Sequence, residues 1–504
     1  MNRTTLSLIA GATALAAVTG FAALTAPDAS GDDTARAAAQ LPVERTSLLC
    51  PQPSTSDVAE TAYTSFTPVT EGTGAKGKAE LAAAGEDSAD EEPADGGGDS
   101  GKKQTGKATK PVLEPQDPGK PVTGSTDGAE APALIGLAEG KYAPGWTVQE
   151  TTEVAAGNGR GLLGTNCTAP DTEFWFPGAS TGADRVDYVH LTNPDDSAAV
   201  VDVELYGKDG ALKTTVGEGI TVKPRSSEPV LLSTLTEAPE DDLTVHVSVR
   251  SGRVAAAVQA LDAEAGGDWL APSADPAGSV VIPGIPKDAT SVRLVAFAPG
   301  GQDADLKVRL ATPSGLITPV GNELHVKAGM TAAVDLGDVT RGEAGSLVLT
   351  PTDDSVPVVA AARVVRGKGT KQETAFIPGS RAVGARASVA DNRSKGVTLA
   401  LTAPGRTAEV KVTASPGSEG GTATTKTYTI KSGTTQNVAV PVPSGLKGTY
   451  ALTVEPVSGG SVYASRMLET TVNGVTGFTI QPLPDDRGTV AVPDAEQDLS
   501  VLQR

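Results

Sequence analysis

The chain has 504 residues and a formal net charge of −20, with 58 glycines, 36 prolines and only 3% aromatic residues. So many turn-forming residues exclude a helical bundle, and the scarcity of aromatic side chains means that the cores are built from aliphatic residues. The negative charge repels phosphate backbones and anionic lipid surfaces, so we expect no nucleic-acid partner.

The N-terminus predicts export, and we assign residues 1–27 to a signal peptide or signal anchor. Arg3 precedes an uncharged, weakly apolar stretch that ends near Pro27. Residues 6–24 would form a helix of about 28 Å, close to the thickness of a bilayer core. Since Pro27 hinders cleavage after Ala26, the sequence slightly favours an uncleaved anchor over a released protein, and both stay open.

The chain has two cysteines, Cys50 and Cys167. In an exported protein an even pair predicts a disulfide. The alternative is a lipid on Cys50, but the bulky Leu49 precedes it and the apolar run ends well before it. Two cysteines without a nearby histidine cannot form a zinc site, and we predict no cofactor.

The first ordered region is predicted to be interrupted. After a stalk at residues 28–47, β-structure is expected at 48–70 and 133–172, on either side of an acidic, Gly/Pro-rich insertion at 71–132. That insertion can bury too little apolar surface to offset the entropy lost on ordering, so the sequence predicts disorder there. A disulfide between the two cysteines would tie its flanks together.

Most of the remaining chain repeats with a step of 104 residues. The recurring residues are Lys223, Lys327 and Lys431; Val254, Val358 and Val462; and Ala256, Ala360 and Ala464. A common step across several segments indicates tandem duplication. We place the repeats at 173–277, 278–373 and 374–484, with a tail at 485–504. Each repeat begins with an apolar strand that ends in Pro-Gly.

Each repeat contains short strands of alternating polarity. In the clearest one, Val201, Val203 and Leu205 would face the core, whereas Asp202 and Glu204 would face water. Seven short strands in about 100 residues, without an amphipathic helix, predict an immunoglobulin-like or fibronectin-like sandwich. The predicted fold class is all-β: three tandem β-sandwich modules after an interrupted N-terminal β region and an N-terminal hydrophobic helix. A row of three such modules would extend about 100 Å.

Several short motifs are similar to those of a known family. They are Leu48-Leu49-Cys50-Pro51, Asn166-Cys167, Phe174-Trp175-Phe176-Pro177-Gly178, Leu191-Thr192-Asn193-Pro194 and Tyr206-Gly207. Together they resemble an exported actinobacterial family known only as a domain of unknown function. The resemblance implies an envelope-associated protein and supplies no reaction, ligand or catalytic residue.

One motif suggests an enzyme. Gly178-Ala179-Ser180-Thr181-Gly182 matches the nucleophile elbow of serine hydrolases, in which a strand turns into a helix and exposes the serine. Here a second strand, residues 187–191, follows instead. We therefore interpret Ser180 as a residue of an inter-strand turn and predict no catalytic residue.

The other candidates also have structural interpretations. The three histidines have strand or strand-end contexts that favour structural roles: His190, His246 and His325. Acidic groups could hold calcium, but solvated turn residues are the simpler interpretation, so no metal site is predicted: Asp195-Asp196, Glu240-Asp241-Asp242 and Asp353-Asp354. Residues 157–161 predict a flexible turn, because no crossover helix follows them.

The repeated lysines and the tryptophans allow a binding function. The three lysines could grip an acidic polymer, but a lysine at a strand end that protects an exposed sheet edge is the simpler interpretation. Glycan binding usually needs exposed aromatic residues. Trp146, Trp175 and Trp269 are the three tryptophans, and the last two lie at expected module seams, where packing would bury them.

The sequence predicts a non-enzymatic, extracytoplasmic scaffold or interaction protein of the cell envelope. Its partner would be another envelope protein or a cell-wall polymer, and its only contact with the membrane would be the N-terminal helix. A cell-wall glycan-binding protein is the alternative. A serine esterase that uses Ser180 is less favoured.

Overall fold

The computed structural model describes residues 39–85, 111–115 and 117–492, and these form β-strands, turns and two short 3-10 helices at Leu232–Thr234 and Gly369–Lys371. The predicted all-β class is confirmed. The predicted signal segment lies outside the described residues. Within them, no helix has the length and apolar character needed to span a lipid bilayer.

The chain divides into a small and a large compact unit. Strand β1 (Ala39–Pro42) belongs mainly to the small unit, whose described residues are 39–41 and 490–492. The large unit, residues 42–489, contains four pairs of sheets, which we name pairs A, B, C and D in chain order. In every pair the two sheets enclose a common hydrophobic core.

Pair A forms the sheets β2-β6-β4 and β5-β3-β7-β8. Its strands are β2 (Arg45–Cys50), β3 (Ala59–Phe66), β4 (Gly77–Ala83), β5 (Val122–Asp127), β6 (Leu134–Gly140), β7 (Thr147–Val154) and β8 (Gly161–Asn166). Trp146 and Val148 lie in the core between the sheets. Cys50 and Cys167 form a disulfide in the same core, which confirms the predicted pairing.

Pair B forms the sheets β12-β11-β15-β9, with β13 also on β11, and β14-β10-β16-β17. Its strands are β9 (Glu173–Ala179), β10 (Arg185–Thr192), β11 (Ala199–Gly207), β12 (Gly210–Ala211), β13 (Ile220–Val222), β14 (Ser227–Leu231), β15 (Leu243–Ser251), β16 (Ala255–Asp262) and β17 (Gly266–Leu270). As predicted from the alternating pattern, Val201, Val203 and Leu205 point into the core.

Pair C forms the sheets β18-β24-β20-β21, with β22 also on β20, and β23-β19-β25-β26. Its strands are β18 (Val280–Ile285), β19 (Ala289–Phe297), β20 (Ala304–Thr312), β21 (Gly315–Ile317), β22 (Glu323–Val326), β23 (Thr331–Asp335), β24 (Gly345–Pro351), β25 (Val359–Arg366) and β26 (Glu373–Pro378).

Pair D forms the sheets β27-β34-β29-β31 and β32-β28-β35-β36, with a separate β30-β33 ribbon. Its strands are β27 (Ala387–Asn392), β28 (Val397–Ala403), β29 (Ala408–Ala414), β30 (Gly420–Thr422), β31 (Thr424–Ile430), β32 (Thr434–Val438), β33 (Ser444–Lys447), β34 (Tyr450–Gly459), β35 (Tyr463–Val472) and β36 (Val475–Pro482). The last strand of the described residues, β37 (Thr489–Val492), pairs with β1.

The four pairs share one strand order. We number the main strands of pair B from 1 to 8: β9, β10, β11, β13, β14, β15, β16 and β17. One sheet then has the order 3-6-1 with strand 4 at its edge, and the other has the order 5-2-7-8. Pairs C and D repeat this order, and so does pair A, in which a bridge between Leu81 and Leu113 takes the place of strand 4.

This order differs from the predicted immunoglobulin-like one. In the immunoglobulin constant-type sandwich, strand 1 lies beside strand 2 and strand 7 lies beside strand 6. Here strand 1 lies beside strand 6, and strand 7 lies beside strand 2. Strands 1 and 7 have therefore exchanged sheets.

The repeats align in the structure at the predicted step, but one predicted boundary is wrong. Val254, Val358 and Val462 each bridge the segment that precedes strand 1 of their own pair. However, the segment 375–377 does not open the third repeat. It belongs to β26, which pairs with β25 and closes pair C. The apolar Pro-Gly pattern marks a last strand here, not a first one.

The predicted disordered insertion is too long at both ends. Strands β4 and β5 lie inside the predicted segment. Strand β4 is ordered because Ala79 and Leu81 alternate with polar residues and are buried in the core of pair A. Residues 86–110, the middle of the predicted insertion, lie outside the described residues.

The last strands of the four pairs meet at one junction. β8 contacts β17, β17 contacts β26, β26 contacts β36, and β36 contacts β8. The four pairs therefore close into a ring, and the expected extended row of modules is wrong. The ends of the large unit also meet, because the backbone N–H of Val43 donates a hydrogen bond to the carbonyl oxygen of Gly488 at 3.1 Å.

The carboxylate of Asp268, on the last strand of pair B, lies at this junction and is fully buried. It accepts hydrogen bonds from the backbone N–H of Gly164 in pair A (3.1 Å) and from the hydroxyl of Thr479 in pair D (3.0 Å). Burial raises the pKa of this carboxyl group well above its ordinary value. Asp268 is thus bonded to pairs A and D, and its strand, β17, packs against β26 of pair C.

We predict that Gly164→Ala destabilises the junction. A Cβ atom at residue 164 would lie 2.6 Å from both Gln481 Nε2 and Thr479 Cγ2, and overpacking of this kind costs about 1–3 kcal/mol. The midpoint of thermal unfolding should fall. Gly405→Ala is the matched control, because nothing lies within 4 Å of a Cβ atom there. Equal midpoints for the two variants would contradict the close packing of the junction.

Candidate functional site

Ser180 lies between β9 and β10, in the inter-strand turn predicted for it, and is buried. Its hydroxyl donates to Asp241 Oδ1 at 2.6 Å and accepts from the backbone N–H of Gly182 at 3.0 Å. A catalytic serine needs a base that removes its proton, usually a histidine. Ser180 instead donates a hydrogen bond to the carboxylate of Asp241 in a turn. A hydroxyl bonded in this way stabilises the turn.

The three histidines lie apart from Ser180. His246 stacks on Trp175 with 3.8 Å between ring centroids, and its Nδ1 lies 2.8 Å from Glu204. His325 Nδ1 lies 2.8 Å from Asp305 in pair C. His190 is buried beside Trp269, and burial lowers its pKa to about 4, so that it is neutral at physiological pH.

Four of the seven acidic side chains that could have held calcium face an arginine or a hydroxyl. Asp195 pairs with Arg253 at 2.9 Å, and Asp242 pairs with Arg293 at 2.6 Å. Among the described residues, no group of three or more acidic, histidine or cysteine side chains is arranged to hold a metal ion.

The repeated lysines occupy equivalent edge positions. Lys223, Lys327 and Lys431 each follow strand 4 of their pair directly, and their side chains are exposed. Strand 4 is bonded only to strand 3, so it is the edge of its sheet. The predicted position at the end of an edge strand is therefore confirmed, and such a charge discourages pairing with another sheet.

Trp175 and Trp269 are buried at seams of the ring, as predicted. Trp175 packs with Phe297 and Val359 between pairs B and C. Trp269 packs with Ala257 and with residues of pair A. Neither indole can serve as an exposed platform for a ligand.

The glycine-rich turn at 157–161 contains a cross-ring contact that the sequence does not indicate. Arg160 forms an ion pair with Glu373 of pair C and donates to the carbonyl oxygens of Glu264 (2.9 Å) and Gln372 (3.0 Å). Arg160 therefore connects pair A to pairs B and C at the junction. Burial raises the pKa of Glu373 to about 7, although Arg160 acts in the opposite direction.

The candidate binding site is a groove of about 340 Å³ at the seam between pairs C and D. Its walls are the connection between pairs B and C (residues 273–280), the connection between pairs C and D (380–382), and Tyr463 of β35. Asp275 and Arg381, one from each connection, form an ion pair. Aromatic, charged and hydroxyl side chains thus converge on one concave surface, as in many ligand sites.

Backbone bonds hold the groove rigidly. The backbone N–H of Ala274 donates to the carbonyl oxygen of Gly379 at 2.8 Å, which joins the two connections. Ser273 is held on both sides, because its N–H donates to the carbonyl oxygen of Trp175 and its hydroxyl donates to that of Ala360. The walls are therefore fixed before any ligand arrives.

Sequence reasoning missed Asp268 and the groove for different reasons. An acidic residue within the apolar strand Gly266–Leu270 is a signal, since a buried carboxylate needs partners. No comparable signal marks the groove, because its walls come from segments about 100 residues apart.

One protein-family model matches residues 122–441 of the chain, more than half of its length. It is described as a family of unknown function, which confirms the resemblance that the sequence motifs predict. No curated protein matches the chain.

We predict that Glu373 weakens the fold as pH rises. Its pKa is about 7 in the folded chain against 4.5 for an ordinary glutamate, so the folded chain holds the proton more tightly. The stabilisation is complete below pH 4.5 and is lost as pH rises through 7, with a limit of about 3 kcal/mol.

The test compares thermal unfolding of the native chain and Glu373→Gln between pH 5 and pH 8. Glutamine cannot ionise, so the stability of the native chain should fall relative to that of the variant as pH increases. A difference between the two proteins that stays constant with pH would show that Glu373 does not titrate in this range.

Proposed function

The chain belongs to the family of unknown function DUF5719, and from that premise we propose that it is a non-enzymatic, extracytoplasmic scaffold or interaction protein of the cell envelope. We further propose that each sheet pair is one β-sandwich module and that the modules follow one another along the chain as tandem repeats. Membership of the family supplies no reaction, so the geometry of the chain carries the proposal.

The observation that carries it is the closed ring. Four last strands meet around Asp268, and apolar clusters fill the seams between neighbouring pairs. Such a body holds its surfaces in fixed relative positions, which suits a protein that presents surfaces to partners. The ring therefore fits the role of a compact platform better than that of a long spacer.

The disulfide supports an extracytoplasmic location. Disulfides persist in oxidising compartments and are rare in the cytosol, and Cys50 and Cys167 form one in the core of pair A. The apolar N-terminal segment agrees with export, and as an uncleaved helix it would be the only contact with the membrane. The partner would then be another envelope protein or a cell-wall polymer.

Binding of cell-wall glycan is the second candidate. The groove between pairs C and D favours it, because Tyr463, Arg381 and Asp275 lie together there. The third candidate, an esterase that uses Ser180, has less support, since the hydroxyl of Ser180 is bound to Asp241.

Export predicts that both thiols are oxidised in cells. We expect the full chain, denatured and treated with a maleimide, to take up no label, and an impermeant amine reagent to modify it on intact cells. The chain without residues 1–27 should stay inside and take up two labels, one on each cysteine. Two reactive thiols on the full chain would contradict the proposed location.

A non-enzymatic role predicts that Ser180 does not react with a fluorophosphonate probe. We expect no covalent label on the native chain, since the hydroxyl is buried and donates to a carboxylate. Mass spectrometry of the intact protein measures the label. A label that appears on the native chain and disappears in Ser180→Ala would establish an activated serine and overturn the proposal.

A further inference from the structure

The seams of the ring use equivalent positions of the fold but fill them differently. Val359 and Tyr463 are 104 residues apart and are the first residues of strand 7 in pairs C and D. Between pairs B and C, Trp175 packs against Val359 and lies 5.4 Å from the ring of Phe297. Between pairs C and D, the residue equivalent to Trp175 is Val281. Val281 packs there with Ala311, Val348 and Tyr463, so the large side chain at this seam comes from strand 7.

The groove of about 340 Å³ lies beside Tyr463 and is within the size range of small-ligand sites. Tyr463 is half-buried and lines it, so part of its ring and the hydroxyl are available to a ligand. Burial raises the pKa of Tyr463, so the hydroxyl keeps its proton and can donate a hydrogen bond at physiological pH.

The polar groups of the groove balance one another. Arg381 supplies donors and Asp275 supplies acceptors. The hydroxyls of Ser273 and Ser380 donate to backbone carbonyl oxygens and can still accept, and that of Ser279 can do either. The arginine and the aspartate cancel in charge, and the whole chain carries −20, which repels anionic polymers. A ligand with many hydroxyls and no charge fits this set best.

We propose that the groove binds an uncharged oligosaccharide, with one sugar ring against Tyr463 and sugar hydroxyls on Arg381 and Asp275. The ring of tyrosine offers a flat apolar face to the C–H groups of a sugar. Each sugar hydroxyl both donates and accepts, so it can bridge the guanidinium and the carboxylate without breaking their pairing. This assignment rests on the proposed function, since a protein outside the cytoplasm meets such polymers.

The test is calorimetric titration of the full chain, in a detergent without a sugar headgroup, with cellohexaose, maltohexaose and chitohexaose. Glucose tests whether a single free sugar suffices, and hexagalacturonate is the anionic probe of the same length. We expect at least one neutral hexasaccharide to bind more tightly than glucose and hexagalacturonate. Tyr463→Ala and Ser279→Trp should each weaken that binding at least tenfold.

The controls match the variants in residue type and surroundings. Tyr428→Ala removes another partly exposed tyrosine of pair D, and Ser458→Trp adds an indole at an exposed serine of the same pair. Both should leave the affinity unchanged. Ser279 is exposed, so Ser279→Trp obstructs the groove without disturbing a core. Far-UV circular dichroism checks that each variant is folded.

Several results would overturn the assignment: no hexasaccharide that binds more tightly than glucose, tighter binding of hexagalacturonate, or equal affinities for the native chain and Ser279→Trp. If the cysteines are oxidised in cells and no hexasaccharide binds, the groove assignment fails and the scaffold proposal stands. Reactive thiols on the full chain would contradict the proposed extracytoplasmic location, whatever the result of the titration with sugars.

Discussion

The ring depends on how Asp268 is satisfied. A carboxylate in a dry interior is costly unless hydrogen bonds replace its water. Donors from two other pairs reach it, the N–H of Gly164 in pair A and the hydroxyl of Thr479 in pair D. If either pair moved away, the buried carboxyl group would lose a donor. Polar contacts therefore define the centre of the ring, and apolar clusters hold its seams.

Much of the fold could be predicted from the sequence because the copies keep a step of 104 residues. The alternation at Val201, Val203 and Leu205 predicts the core face correctly. The apolar segment around Phe376 leads to a wrong repeat boundary, because an apolar strand that ends in Pro-Gly can be the first or the last strand of a copy. In the described part of pair A, Leu113 makes a single bridge in place of strand 4, and the strand order that pair A shares with the other pairs is visible only in the pairing.

The ring and the groove could not be predicted in this way. Contacts such as Gly164 with Thr479 join residues 315 positions apart, on strand 8 of pairs A and D, and a repeat in the sequence does not tell which copies contact one another. The groove has an aromatic wall because Tyr463 stands where pair C has Val359, and the effect of that difference depends on which surface faces it. By contrast, the roles of Ser180 and of the repeated lysines could be predicted from local patterns, because strand ends and turns are local structures.

The exchange of strands 1 and 7 explains how copies of one fold can form a ring. Strand 1 of pair B contacts strand 7 of pair C, strand 1 of pair C contacts strand 7 of pair D, and strand 1 of pair D contacts strand 7 of pair A. Each copy therefore carries two docking surfaces, one at each end of its chain. Duplication of the copy duplicates both surfaces.

A ring of this kind constrains evolution in a way that a linear array does not. An open array can gain or lose an end copy, since each copy contacts only its neighbours. Here β36 contacts β8, and Val43 is hydrogen-bonded to Gly488, so the first and last copies are also neighbours. A copy inserted between them would break the contact of β36 with β8 and the bond of Val43 to Gly488, whereas divergence within a copy or a longer loop would leave both in place.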